Sequence, residues 1–510
     1  MGLLRLTGCS LLVVVTACST DFSPKECSLD SDCGTGLVCE NRDAVPVCVS
    51  ADDAPLIIGH HSALSGTNQQ LGTNMKLGID LAFKEKNDAG GIRGRKLQLE
   101  FRDDAYDPAS AEAAARALVD VQVQDGTDPK CPTTMMNPPV APAVSNFALK
   151  RGPNAVLAII GNVGTPTMVR AAPVVIETGT VFFGAFTGAA NTLRDERAGE
   201  CKKYIFNVRA SYAQEARATL EFFKRKAVGG GSPVNYENLI SFDQNDTFGQ
   251  AGYDGLVQAY KDMFTMFPAA ADPTTPIKRF RYTRNDDTSV PAQAAAAQTY
   301  LAQLLTQQTG TVTVGIFMTD TYGAGTELIT RLKNWQNAND SEQTSLMKAT
   351  RLKLYFSNVS FVGPNALSDR LLAAGTYTVF GAGTQAAYAD GVVVSQVVPN
   401  YQSDISDVVT KYNQLIAESG RPPGFTSLEG YIMTKIFIAG LEKHKGPFTP
   451  ESLVGDFEGL GDLGLGLGAA SGFSTGNHQY LQSVWGTQIQ PNGAFKNLYF
   501  FANGTFSFFE

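Results

Sequence analysis

The run Leu56-Ile57-Ile58-Gly59, followed by Ala63-Leu64-Ser65-Gly66, Gly72, then Asn87-Asp88-Ala89-Gly90-Gly91-Ile92-Arg93-Gly94-Arg95-Lys96, Asp103-Asp104 and Asp107-Pro108, decides how this chain is read. Leu56 to Gly59 is a short apolar run of the kind that forms a buried strand. Leu77, Leu81 and Ala82 share one face of a helix from about Thr73 to Ala89, and Gly90-Gly91 is placed to stop it. Lys96 to Phe101 alternates as a second strand. Asp107 caps and Pro108 starts a helix containing Ala113, Ala117 and Leu118. Strand, helix, strand, helix in that order predicts α/β units around a parallel sheet.

The alternation continues outward. Between Asp125 and Pro153 six prolines forbid a helix and predict a surface insertion. The strand Ala155 to Ile160, a helix from about Thr167 and the strand Val181 to Phe183 follow. A second series holds the strand Tyr204 to Val208, the helix Tyr212 to Lys226, a loop at Gly229 to Pro233 and the strand Leu239 to Phe242. It runs on through helices near Gln250 to Tyr260 and Gln293 to Thr306 and strands Val312 to Met318 and Phe356 to Val359. The 510 residues exceed what one core supports, and two α/β lobes of comparable size are the simplest packing.

The N-terminus reads as an export signal. Arg5 precedes the apolar segment Leu11 to Val15, too short to span a bilayer, and Val15-Thr16-Ala17-Cys18 has the form of a lipoprotein cleavage box. Residues 1–17 are expected to be removed and Cys18 lipidated, which predicts a periplasmic protein anchored to a membrane. Ser19 favours the outer membrane. The rival box Leu6-Thr7-Gly8-Cys9 leaves almost no hydrophobic core ahead of the cut, and a plain secretory signal is the other alternative. Residues 18–54 form a tether with Cys27, Cys33, Cys39 and Cys48, where two disulfides would replace a missing core. Their pairing is open among three connectivities; zinc is the rival reading, although close Cys-x2-Cys pairs are missing. Cys131 and Cys201 are expected either to close a disulfide across one lobe or to stay as buried thiols. A net charge of −8 without a basic stripe argues against nucleic acid.

The opening stretch resembles type I periplasmic binding proteins of the branched-chain amino acid receptor kind. The resemblance extends through Ile160-Gly161-Asn162-Val163-Gly164-Thr165, Phe248-Gly249, Gly391 to Pro399 and Leu428-Glu429-Gly430-Tyr431, and covers roughly residues 55 to 510. It implies two lobes, each a parallel sheet flanked by helices, joined by three hinge crossings near Arg209, Pro399 to Tyr401 and Gly472 to Gly476. Lobe I would then be residues 55–208 and 400–474, and lobe II residues 209–399 and 475–510.

The loop from Gly161 to Thr167 also has physical content of its own. Glycines let the backbone approach a ligand, Pro166 suits the first helical turn, and the free amides there form an anion seat. The resemblance implies that Gly164, Thr165, Ala185 and Thr187 bind the ligand, with Ser65, Phe248, Asp320 and Thr321 facing them. Leu71 stands where such proteins often carry an aromatic ring, and Asn358-Val359-Ser360 stands where an acid for an ammonium group is expected. The predicted ligand is therefore an amino acid or a related carboxylate or amide.

Other signals are set aside. Gly459 to Gly464 fits G-x-G-x-x-G but follows a helix, so no dinucleotide is expected. His60 and His61 are adjacent on a strand end, their side chains diverge, and they cannot share a metal. No nucleophile, base and orienting acid assemble, so neither catalysis nor a cofactor is expected. The resemblance implies a substrate-binding lipoprotein that closes over a small molecule and delivers it to ABC permease subunits. The alternatives are a ligand sensor that signals to a membrane receptor, and a lipoprotein enzyme.

Overall fold

The computed structural model describes residues 25–42, 45–51, 53–131, 147–189, 203–225, 234, 238–266, 277–468 and 471–509. The signal, Cys18, Cys201, most of the Pro-rich segment and the loop at Gly229 to Pro233 lie outside them. No helix among the described residues is long and apolar enough to cross a membrane.

The knob is a hairpin of β1 (Leu37–Arg42) and β2 (Val45–Ser50) around a small apolar cluster of Val38, Ala51 and Ala54. The disulfides Cys27–Cys39 and Cys33–Cys48 settle the open pairing. The knob docks on lobe I through ion pairs Arg93–Asp30 and Arg95–Glu40, each 2.5 Å.

Lobe I begins with β3 (Leu56–Ser62), α1 (Gln69–Asp88), β4 (Leu97–Asp103) and α2 (Pro108–Leu118). Asp107 caps α2 as its sequence predicts, accepting from the Ser110 amide at 2.9 Å. The Pro-rich insertion leaves and returns through a two-stranded ladder, β5 (Gln122–Gln124) against β6 (Ala148–Lys150). Next come β7 (Ala158–Ile160), α3 (Thr165–Glu177), β8 (Val181–Phe183) and β9 (Ile205–Phe206). The sheet order β4-β3-β7-β8-β9 is wholly parallel. Cys131 is disulfide-bonded, and its expected partner Cys201 lies outside the described residues.

Lobe II contains α4 (Tyr212–Arg225), β10 (Leu239–Gln244), α5 (Thr247–Met266), β11 (Lys278–Tyr282), α6 (Val290–Gln307), β12 (Val312–Thr319), α7 (Tyr322–Asn337), α8 (Glu342–Arg351), β13 (Leu352–Asn358) and α9 (Pro364–Ala374). A short ladder of β14 (Thr376–Thr378) and β15 (Gln385–Ala387) precedes β16 (Val393–Gln396). The chain returns to lobe I for α10 (Asp407–Glu418), α11 (Phe425–Lys443) and α12 (Pro450–Glu458). Gly78 of α1 meets α11 so closely that a Cβ there would strike the Ser427 carbonyl.

Two expectations need correction. Lobe II is not a purely parallel sheet, because β17 (Val484–Ile489), β18 (Phe495–Ala502) and β19 (Thr505–Phe508) add an antiparallel meander beside β16. Asn503 and Gly504, at φ +50 and +74, form the last tight turn, the backbone shape a two-residue hairpin needs. The third crossing also falls later than Gly472 to Gly476. Tyr480 and Leu481 donate their amides to the Asn207 and Val208 carbonyls at 2.8 Å, and Asn207 donates to the His478 carbonyl at 2.8 Å, so residues 478–481 still run beside lobe I before the chain enters β17.

Candidate functional site

The C-terminal ends of the two sheets face each other. Asn68 donates to Asn285 at 2.8 Å, Tyr322 donates to the Thr67 carbonyl at 2.5 Å, and Tyr106 accepts from Gln244 at 3.4 Å, each pair joining one lobe to the other.

On the lobe I wall, Gly164 has φ +103 and opens α3, a conformation that a side chain would strain. Thr165 and Thr187 are fully buried and their hydroxyls meet at 2.6 Å, with the Tyr212 hydroxyl 3.5 Å from Thr187. Ala185 is buried beside them. Ser65 lies apart, exposed on the turn after β3 and hydrogen-bonded to Asp103. Tyr106 roofs the start of α3, since a Cβ on Gly164 would run into its ring. Ala105 and Tyr106 both have positive φ, +48 and +58, costly for non-glycine residues. Asp103 and Asp104 hold that turn by accepting from the Ala105 and Tyr106 amides at 2.9 Å.

On the lobe II wall, Phe248 and Thr321 are buried, and the Thr321 amide donates to the Tyr282 hydroxyl at 3.1 Å. Asp320 is fully buried and neither carboxylate oxygen has a hydrogen-bond partner. Burial first, and the neighbouring Asp287 charge second, push its carboxyl well above the usual carboxylate range. Asn358 Oδ1 is likewise buried and unpartnered. An added Cβ on Gly325 would be 2.7 Å from Asp320 Oδ2 and 3.5 Å from Asn358 Oδ1, which puts both groups under the first turn of α7.

Sequence reading missed three groups that complete the cleft. Phe361 is a hub between the walls, with ring centroids 5.1 Å from Phe186, 4.5 Å from Phe248 and 6.1 Å from Tyr106. Glu215, reaching in from α4, accepts from the Ser360 amide at 2.7 Å and from the Ser395 hydroxyl at 2.6 Å. A carboxylate therefore does sit at the end of β13, but it comes from a distant helix. Arg209 is the third, and Leu71 packs against Gly363 rather than offering a ring.

His60 and His61 point to opposite faces of β3, as expected. His60 contacts the Ile160 carbonyl at 3.0 Å and the Ser62 hydroxyl at 2.8 Å, and burial drives it down to about 3. His61 meets Asp104 at 2.9 Å. A cavity of about 380 Å³ lies at the opposite pole, between the knob and lobe I, lined by Glu40, Arg95, Arg151 and Phe448. It shares no residue with the cleft.

A family described as periplasmic binding protein matches residues 55–127. A Leu/Ile/Val-binding protein homolog from Brucella melitensis is 39% identical over 70 residues, 14% of this chain and 19% of that protein. The chain thus matches about a fifth of that relative's length. A crystal structure of a possible leucine/isoleucine/valine-binding protein from Rhodopirellula baltica superposes with a TM-score of 0.65 at 28% identity, covering 88% of this chain and 98% of that one. The fold is that of a type I periplasmic binding protein of the branched-chain amino acid receptor type. A leucine binding protein from Thermotoga maritima shares this fold at a TM-score of 0.60 and 14% identity, over 88% of this chain and 99% of that one. Thr187 approaches Phe248 through the Tyr212 side chain, and Thr321 is linked to Tyr106 through Tyr282 and Gln244.

Proposed function

We propose that this chain captures a small polar ligand between its lobes and delivers it to an ABC permease. The ligand is an amino acid or a related carboxylate or amide, held by Gly164, Thr165, Ala185 and Thr187 on one side and Phe248, Asp320 and Thr321 on the other. The observation that carries this reading is the buried, unpartnered carboxylate of Asp320 where the sheet ends meet. Buried polar groups are almost always paired, so a carboxyl group left without a partner asks for one from outside the chain. Ligand contacts to both lobes would favour the closed state, and closure needs no nucleotide on this chain.

The lipid anchor at Cys18 and a periplasmic location belong to the same reading. They rest on the signal-like N-terminus together with the export disulfides of the knob. Thermal melting of the whole chain against amino acids, small carboxylates and amides tests ligand capture. A ligand at 100 times its Kd adds about 2.7 kcal/mol. A panel that shifts nothing counts against the cleft as a binding site. Uptake of the bound ligand that persists in cells lacking the gene would favour a sensor over a transporter component. A ligand recovered chemically changed would favour an enzyme.

A further inference from the structure

The sulfurs of both knob disulfides converge on one point. The Sγ atoms of Cys27, Cys33 and Cys48 lie within 4.8 Å of one another, and Cys39 is bonded to Cys27. The hairpin register sets Cys39 directly opposite Cys48, so the two side chains leave the same face of the ladder. Each cysteine is also pinned by bonds that involve no sulfur. The Cys27 amide donates to the Pro46 carbonyl at 3.0 Å and the Cys48 amide to the Lys25 carbonyl at 2.8 Å, which lays the start of the knob along β2. The Cys33 amide closes a short turn on the Asp30 carbonyl at 3.0 Å. The Asp30 carboxylate accepts from the Cys39 amide at 2.8 Å and pairs with Arg93, tying that turn to the hairpin and to lobe I at once.

Opening both disulfides would therefore leave four thiols gathered by backbone hydrogen bonds and an ion pair. A tetrahedral zinc site with Zn–S bonds of about 2.3 Å spaces its sulfurs about 3.8 Å apart. That spacing lies between a disulfide bond and the 4.8 Å span of the cluster, within reach of side-chain rotation alone. Soft thiolates select zinc over calcium or magnesium. The sequence lacks the close Cys-x2-Cys pairs of a zinc ribbon, but the cross-strand pair Cys39 and Cys48 brings two ligands together in their place. Cys27, Cys33 and Cys48 are half-buried rather than sealed, so a reductant and an ion can reach them.

We propose that the knob is a redox-dependent metal site: once a dithiol has reduced it, Cys27, Cys33, Cys39 and Cys48 bind one zinc ion in place of the two disulfides. Each disulfide takes two electrons and two protons from a dithiol, which leaves as a disulfide. The four thiols then release four protons as they bind Zn2+. The metal replaces the lost staples, because coordination energy acts as folding energy in so small a unit. The site shares no residue with the cleft and stands or falls independently of the ligand captured there.

The test reduces the whole chain with dithiothreitol, removes the reagent anaerobically by gel filtration, and titrates with cobalt(II) followed by zinc(II). The reduced chain is expected to take one equivalent of cobalt with the absorption of a tetrahedral thiolate complex, and to give it up to one equivalent of zinc. The oxidised chain should show neither. Cys33→Ser together with Cys48→Ser leaves Cys27, Cys39 and the disulfide-bonded Cys131 open to reduction, and should weaken zinc binding at least tenfold. Equal binding by that variant or by the oxidised chain places the metal elsewhere and overturns the inference. So does a reduced native chain that takes no stoichiometric cobalt. Loss of the folded circular dichroism spectrum on reduction would overturn it as well, since the four ligands would then not be held without their disulfides.

Discussion

The two walls of the cleft are made of the same parts, strand ends of a sheet and the first turns of helices, but they carry different charge. Lobe I presents hydroxyls and backbone: Thr165 and Thr187 bond to each other at 2.6 Å. Lobe II presents carboxylates, one of them, Glu215, held by three serine donors at 2.6–3.0 Å and the other, Asp320, held by none. The lobe I hydroxyl pair is therefore answered as folded, although Asn162 Oδ1 in the same loop is buried without a partner, whereas on the lobe II wall the whole carboxyl group of Asp320 is unanswered. Affinity should follow lobe II, and shape should follow lobe I.

The aromatic hub that joins the walls gives the largest expected effect. Phe361 is fully buried and touches rings from both lobes, so Phe361→Ala should cost about 3–5 kcal/mol, the usual range for emptying such a site. Denaturant unfolding measures it. A loss below about 1 kcal/mol would mean that the walls are not packed through this ring.

The walls should also answer pH with opposite sign. His60, under the lobe I wall, is driven down from 6.5 to about 3 by burial. Its neutral form is favoured on folding, so its contribution is present above pH 6.5 and is lost as pH falls from 6.5 towards 3, by up to about 1.4 kcal/mol per pH unit. His60→Gln should flatten the acid side of the stability profile. Asp320 runs the other way. With its folded value raised, stability is full below the ordinary carboxylate range and is lost as pH rises from there to the folded value. Asp320→Asn should raise the unliganded protein's stability near pH 7 by about 1–3 kcal/mol, remove that loss, and weaken ligand binding. A variant less stable than the native chain at pH 7 would mean that the carboxylate is already satisfied.

Local chemistry explains what could be read in advance. The helix started by Asp107-Pro108, the glycine-opened turn at Gly164 and the buried strand at Leu56 are set by residues within a few positions of one another, and all three stand as read. The C-terminal meander is legible too, since Asn503-Gly504 is a strong hairpin signal. What the sequence could not show is contact across the fold. Glu215 reaches Ser360 from 145 positions away, and Phe361 meets Phe186 only because two sheets converge. Tyr106 was hidden for another reason. Its positive φ breaks a local rule, and only the aspartate pair beside it makes that conformation tolerable.

The smallest effect should come from the hydroxyl pair that is already answered. Thr165→Val keeps the shape of a fully buried side chain but deletes the hydroxyl that meets Thr187, leaving the Thr187 oxygen with the Tyr212 hydroxyl 3.5 Å away and the Ala189 amide at 3.2 Å. Because Thr187 keeps those neighbours, the cost should stay near 1 kcal/mol, the net worth of one hydrogen bond, without the larger penalty of an orphaned group. Ligand affinity should fall by a similar amount only if the hydroxyl pair itself contacts the ligand. Equal melting losses with and without ligand would make the pair a brace for the loop, and a larger loss with ligand would place it at the contact. A cost well above that of Asp320→Asn in ligand binding would reverse the comparison, making lobe I the wall that discriminates.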